Sequence, residues 1–144
     1  MFLEAGRGDG IMNSWKEFFS EGEQYFKTAK NGVCRKSVFT NEILYNIIGM
    51  SIEKYFMGFF QFHGKLPEHH TLESLASDAA AITEEAAPFI DPLKHMDSYQ
   101  EVCHPELFQR VAPSDDDILE MLALNESIKV FVAGHTDARA GDVR

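Results

Sequence analysis

The feature that most constrains this chain is a run of large apolar side chains in residues 37–63. They recur at steps of three and four residues, which is the spacing of one face of an α-helix. The positions are Ile43, Leu44, Ile47, Ile48, Ile52, Tyr55, Phe56, Phe59 and Phe60. Met57 and Phe62 widen this stripe beyond the arc of about 100° that one core contact requires. The helix therefore needs partners on two sides, either another helix of the chain or a second subunit, and we favour a homodimer.

The first and last predicted helices carry clear start or stop signals. The first covers residues from Ser14 to Asn31-Gly32, because glycine is common just past a helix C-terminus. The last begins at Ser114, which is followed by three aspartates. A serine cap and carboxylates both stabilise the positive end of a helix dipole. This helix is predicted to end near Gly134.

Two shorter helices are predicted between them. One covers residues 72–87, with Thr71 as its cap. The other follows Pro88, where Asp91-Pro92 predicts an N-cap and a proline in the first helical position. No stretch shows sustained strand alternation. The predicted fold is therefore all-α, an antiparallel up-and-down bundle of four to five helices.

The length of 144 residues predicts a single domain. We assign residues 14–134 to the helical domain, residues 1–13 to a disordered leader and residues 135–144 to a flexible tail. No apolar run approaches the roughly 20 residues of a membrane span, and no export signal is visible. Two cysteines form at most one bridge and give no disulfide framework. We expect a reduced, cytoplasmic protein that does not associate with membranes.

The net charge is strongly negative, with 13 basic and 23 acidic residues giving −10. Residues 66–144 hold 5 of the basic and 16 of the acidic residues. An acidic surface repels phosphate backbones, so nonspecific binding to nucleic acid is not expected. One candidate function is therefore a scaffold whose acidic face docks a basic partner.

The residue types that bind metals or catalyse reactions are present without the spacing those functions need. Cys103 precedes His104, but adjacent side chains point in different directions, whereas a nucleophile must face its base. The repeated CxxC and HxxxH spacing of metal centres is absent, as are a P-loop and a GxGxxG turn. We therefore assign no metal, no cofactor and no catalytic residue. The pair His69-His70 is interpreted as a linker ahead of the Thr71 cap.

The run MSIEKYFMGFFQFHGKLPEHHTLESL, residues 50–75, resembles the core of the HEPN family, the higher eukaryotes and prokaryotes nucleotide-binding domain. Its small stand-alone bacterial and archaeal members combine a Glu-Lys pair in a helix, a turn with glycine and proline, and a His-Asp-Leu-x-x-Leu motif. The matching residues are Glu53, Lys54, Gly64, Pro67, His70, Thr71, Leu72 and Leu75. The resemblance covers residues 14–132. It implies a helical domain that binds a nucleotide or pairs with a minimal nucleotidyltransferase.

Two departures from the family bear on function. Nuclease members carry an arginine followed four to six residues later by a histidine, and no arginine of this chain has that neighbour. The arginine expected before Tyr-Pro is also absent, since residues 102–105 read Val-Cys-His-Pro. The resemblance therefore implies a non-catalytic binding or partner module. The alternative is a diverged ribonuclease toxin in which His70 or His104 supplies acid–base chemistry.

If a nucleotide binds, the resemblance and the local charge point to four residues. Lys54, Arg35 and Lys36 would meet the phosphates as cations, and His70 would contact a base or ribose. These four are the predicted ligand-binding residues.

Overall fold

The computed structural model describes residues 8–100 and 112–136, with side chains from residue 14 onward. Over these residues the chain forms a bundle of five α-helices, which confirms the predicted all-α class. The helices are α1 (Gly8–Gly32), α2 (Asn41–Phe62), α3 (Leu72–Ile82), α4 (Ile90–Ser98) and α5 (Asp115–Gly134). A 3-10 helix (Glu84–Phe89) connects α3 to α4.

Side-chain caps start three of these helices. The hydroxyls of Thr40 and Thr71 accept hydrogen bonds from backbone amides in the first turns of α2 and α3. Ser114 and Asp117 form a reciprocal capping box at the start of α5, as the serine and the acidic run predict. Gly64 follows α2 with a positive φ of 69°, a conformation that glycine adopts without steric cost.

The core of the bundle is built around α2. Ile48, Ile52 and Phe56 of this helix are fully buried, and α1, α3 and α5 all pack against it. Burying each such side chain stabilises the fold by about 1.5–3 kcal/mol. Met57 is also buried, and the Phe62 ring lies edge-on to Trp15 of α1 at 5.5 Å between ring centres. The two side chains that widen the stripe are thus packed within the chain, whereas Ile43 at the start of α2 is exposed. The width of the stripe therefore does not require a second subunit.

The limits of α1 differ from the prediction. The helix begins at Gly8 rather than at Ser14, so residues 8–13, which we assigned to a leader, belong to it. Once a helix has nucleated, each added residue gains a backbone hydrogen bond, and extension needs no strong local signal. The rest of the predicted leader, residues 1–7, and residues 137–144 of the predicted tail lie outside the described residues.

The segment after α3 also differs. The helix ends at Ile82 and not at residue 87, because Thr83 takes an extended conformation and its hydroxyl accepts a hydrogen bond from the amide of Glu85. The 3-10 helix that begins there continues directly into α4, which has no side-chain cap. Asp91-Pro92 therefore lies inside the first turn of α4, and the prediction that it caps this helix was wrong.

Candidate functional site

A groove of about 460 Å³ lies between α2, the start of α3 and the end of α4. We call it the α2–α3 groove. Its α2 side consists of Tyr45, Asn46, Gly49, Met50 and Glu53. This volume falls within the range of about 300–1,000 Å³ that ligand sites commonly have.

His70 lies at the mouth of this groove, opposite Glu53. Its Nδ1 is 3.8 Å from Glu53 Oε2, and its side chain is 61% exposed. The neighbouring His69 is exposed and is not among the lining residues. The structure thus separates the two histidines: His70 faces the groove, and His69 belongs to the linker.

Asp97, near the end of α4, closes the groove at the N-terminus of α3. Its Oδ1 accepts a hydrogen bond from the amide of Leu72, and its Oδ2 accepts one from the amide of Glu73. A helix N-terminus with free amides is a ready site for phosphate. In this chain a carboxylate already uses two of those amides, so the groove is electrostatically less suited to an anion than to a cation.

Gly49 forms an open part of the groove wall. Among the residues that the structure describes, a Cβ added at Gly49 would meet nothing within 4 Å, whereas one at Gly58 would come within 3.0 Å of the Trp15 carbonyl oxygen. Close packing of α2 on α1 therefore occurs at Gly58, whereas the described residues leave Gly49 open. Glycine inside a helix costs about 0.5–1 kcal/mol relative to alanine. At Gly49 no contact within the described structure compensates for that cost.

Two of the predicted ligand-binding residues lie in the loop between α1 and α2. Lys36 Nζ is 2.7 Å from Asp115 Oδ1, so it ties this loop to the first turn of α5. It also donates to the side-chain oxygen of Asn41. The guanidinium carbon of Arg35 lies 6.0 Å from the ring centre of Phe39. Neither cation lines the α2–α3 groove.

The third predicted cation, Lys54, faces α1. Its Nζ lies 3.0 Å from Glu21 Oε1 and 5.4 Å from the ring centre of Phe18. Of the four predicted ligand-binding residues, His70 alone lines the groove. The structure does not bring the three cations to it.

Sequence reasoning missed Gly49 and Asp97 as parts of the site. The sequence does not reveal whether a helical glycine such as Gly49 faces a neighbouring helix or open space. Asp97 lies 25 residues from Leu72 along the chain, and no local pattern predicts their hydrogen bond.

The metal-binding residue types do not converge in the part of the chain that the structure describes. No group of three or more His, Cys, Asp or Glu side chains there could hold a metal ion. Cys34 is a free, exposed thiol. Cys103 and His104 lie outside the described residues.

Comparisons with protein-family models, with curated proteins and with solved structures each gave no significant match. The HEPN assignment therefore stays a prediction from the motif residues. Among residues 8–100 and 112–136, no helix is long and apolar enough to span a lipid bilayer.

Proposed function

We propose that this chain is a HEPN-like helical module that binds a protein partner through the α2–α3 groove and has no catalytic activity of its own. The observation that carries the proposal is the open position of Gly49. A destabilising residue with no packing role among residues 14–100 and 112–136 is explained if a partner needs the space. The space suits the backbone of a partner's helix or strand best, because glycine has no side chain and allows another backbone to approach closely.

The surface beside the groove supports a protein partner. Ile43 and Met50 lie two helical turns apart on α2 and are 42% and 41% exposed, with Asn46 between them. We call the surface of Ile43, Asn46, Gly49, Met50 and Glu53 the α2 face. Methionine is enriched at protein interfaces, and exposed apolar side chains beside polar ones are typical of them.

The charge of the groove supports a basic contact group on that partner. Glu53 adds a carboxylate at the mouth, and Asp97 occupies the amides that a phosphate would use. A lysine or arginine side chain would be attracted to Glu53, whereas a nucleotide phosphate would be repelled. The net charge of −10 favours the same class of partner.

Two protein partners are candidates for the α2 face: a second copy of this chain, which could cover the exposed Ile43 and Met50, and the minimal nucleotidyltransferase that the HEPN resemblance implies. Both would meet it in the cytoplasm, where the Cys34 thiol stays reduced. Light scattering tests the homodimer. We expect twice the chain mass of 16.3 kDa at micromolar concentration. A mass of one chain would rule the homodimer out and leave the second partner.

The partner itself is tested by affinity capture from the source organism with a matched pair of variants. Met50→Asp and Leu119→Asp each place a carboxylate at an exposed apolar helical position, but Leu119 lies on α5 and does not line the groove. We expect the wild type and Leu119→Asp to retain the same partner and Met50→Asp to lose it. A partner that Met50→Asp retains, or that both variants lose equally, contradicts the proposal. Circular dichroism establishes that both variants fold.

A cleavage assay on mixed cellular RNA distinguishes this module from a diverged ribonuclease. We expect no cleavage by the wild type. Cleavage that His70→Gln abolishes would replace the proposed function with the ribonuclease.

A further inference from the structure

A second groove, of about 370 Å³, lies between α4 and α5. We call it the α4–α5 groove. The described residues leave it open, because α4 packs on α3 and the 3-10 helix, while α5 packs mainly on α2. The described residues that line it are different from those of the α2–α3 groove. Nothing in the proposed function uses it.

The apolar part of this groove is formed by Met96 of α4 and by Met121 and Leu124 of α5. Both methionines are almost fully buried, so their side chains form a floor. Methionine side chains are flexible and polarisable and therefore adapt to apolar groups of different shape. This floor favours a ligand with a hydrocarbon or aromatic body.

Carboxylate side chains line both the α4 side and the α5 side of the groove. Asp91 belongs to α4, and Asp117 and Glu120 belong to α5. No lysine or arginine is among the described residues that line the groove. Asp91 and Glu120 have no hydrogen bond or ion pair within the described part of the chain. Among the described lining residues, the imidazole of His95 is the one side chain that could carry a positive charge.

The third carboxylate is held in place and stays ionised. The amide of Ser114 and the hydroxyl of Tyr99 donate hydrogen bonds to Asp117 Oδ2 at 3.0 and 3.1 Å. Hydrogen bonds from Ser114, and then the one from Tyr99, hold the pKa of Asp117 below its usual range. Tyr99 also lines the groove, and its aromatic ring adds a surface that attracts cations.

We propose that the α4–α5 groove binds a small organic cation with an apolar body, of the class of a primary amine on an aromatic or hydrocarbon scaffold. The apolar body packs on Met96, Met121 and Leu124, and the ammonium group lies between the carboxylates of the two walls. A neutral molecule of the same shape gains the apolar contact alone, and an anion is repelled. The charge of the ligand therefore decides its affinity.

The test uses three probes with one apolar body: phenylbutylamine, phenylbutanol and phenylbutyrate. Methionine methyl groups labelled with carbon-13 report the place of binding by NMR. We expect the amine to shift the Met96 and Met121 signals in a saturable manner. The buried Met57 and the Met50 of the α2–α3 groove should not respond. The alcohol should bind about tenfold more weakly, and the carboxylate should not bind at millimolar concentration.

A matched pair of double variants tests the carboxylates. Asp91→Asn with Glu120→Gln should weaken amine binding about tenfold. Asp78→Asn with Glu126→Gln removes the same charge outside the groove and should change it by less than about twofold. Equal affinity for the amine and the alcohol, equal losses in the two double variants, or no saturable shift of Met96 and Met121 would each overturn the proposal.

Discussion

Asp97 of α4 caps α3 through the backbone amide of Leu72, with 3.1 Å between Asp97 Oδ1 and the Leu72 nitrogen. The other carboxylate oxygen accepts the amide of Glu73 at 2.8 Å. One side chain thus holds the end of α4 against the start of α3. It also forms one end of the α2–α3 groove, so the shape of the groove depends on this contact.

Replacing Asp97 should therefore destabilise the fold. Asp97→Ala leaves the amides of Leu72 and Glu73 without their acceptor, and we expect a loss of about 1–2 kcal/mol in the free energy of unfolding. Urea denaturation followed by circular dichroism measures it. Asp78→Asn, on α3 itself, is the control and should change stability by less than about 0.5 kcal/mol. Equal effects of the two substitutions would mean that Asp97 does not cap α3.

Alanine should have opposite effects at two glycines of α2. Gly49→Ala should raise the free energy of unfolding by about 0.5–1 kcal/mol, because the new methyl group meets nothing and the helix propensity improves. Gly58→Ala should lower it by about 1–3 kcal/mol, since its Cβ would lie 3.0 Å from the Trp15 carbonyl oxygen. Denaturation of the two variants side by side measures the difference. A destabilised Gly49→Ala would show that Gly49 is packed inside the chain.

The predicted features that the structure confirms are those whose cause is local. The caps of Thr71 and Ser114 involve residues three positions apart, and the end of α1 at Gly32 needs one glycine. The end of α3 is different. Alanines continue past Ile82, and helix propensity alone favours a longer helix, but Thr83 starts a 3-10 helix at this point. The packing of that segment on α3 and α4 is a tertiary contact, which the pattern does not contain.

The candidate site was predictable only in part for the same reason. His70 was singled out because it matches a motif histidine, and it does line the groove. Lys54 is predicted because it matches the Glu-Lys pair of the family, and Lys36 is predicted from the local charge of the sequence. The ion pair of Lys36 joins the α1–α2 loop to α5, and that of Lys54 joins α2 to α1, so no local pattern shows that these cations are already paired.

The free energy of unfolding should decrease as the pH is lowered through the range in which His63 takes up a proton. Its Nε2 lies 3.2 Å from the His135 carbonyl oxygen, and its ring lies against Phe59. Burial lowers the pKa of His63 below its ordinary value of 6.5, although the hydrogen bond with His135 opposes this shift. Below about pH 6.5 the unfolded state therefore binds a proton at His63 more readily than the folded state does. The stability that depends on neutral His63 is fully present above about pH 6.5. It is lost as the pH falls from 6.5 towards the lower pKa of His63 in the folded state.

Thermal unfolding at about pH 7.5 and pH 5.5 measures this effect. We expect the melting temperature of the wild type to fall more over this interval than that of His63→Gln, whose side chain does not titrate. His69→Gln, in the exposed linker, should behave like the wild type. The account of His63 is wrong if His63→Gln shows the same fall as the wild type.

We propose that the open space at Gly49 serves a partner, and two leucine variants test this by how well each retains the partner. Gly49 and Gly134 are both helical glycines whose Cβ would meet none of the described residues within 4 Å, so a side chain can start at either position without a clash at the Cβ. Gly134 lies at the end of α5, and it is not among the residues that line the groove. We predict that Gly134→Leu retains the captured partner at the wild-type level and that Gly49→Leu, although stably folded, loses it. Equal retention by the two variants would contradict the claim.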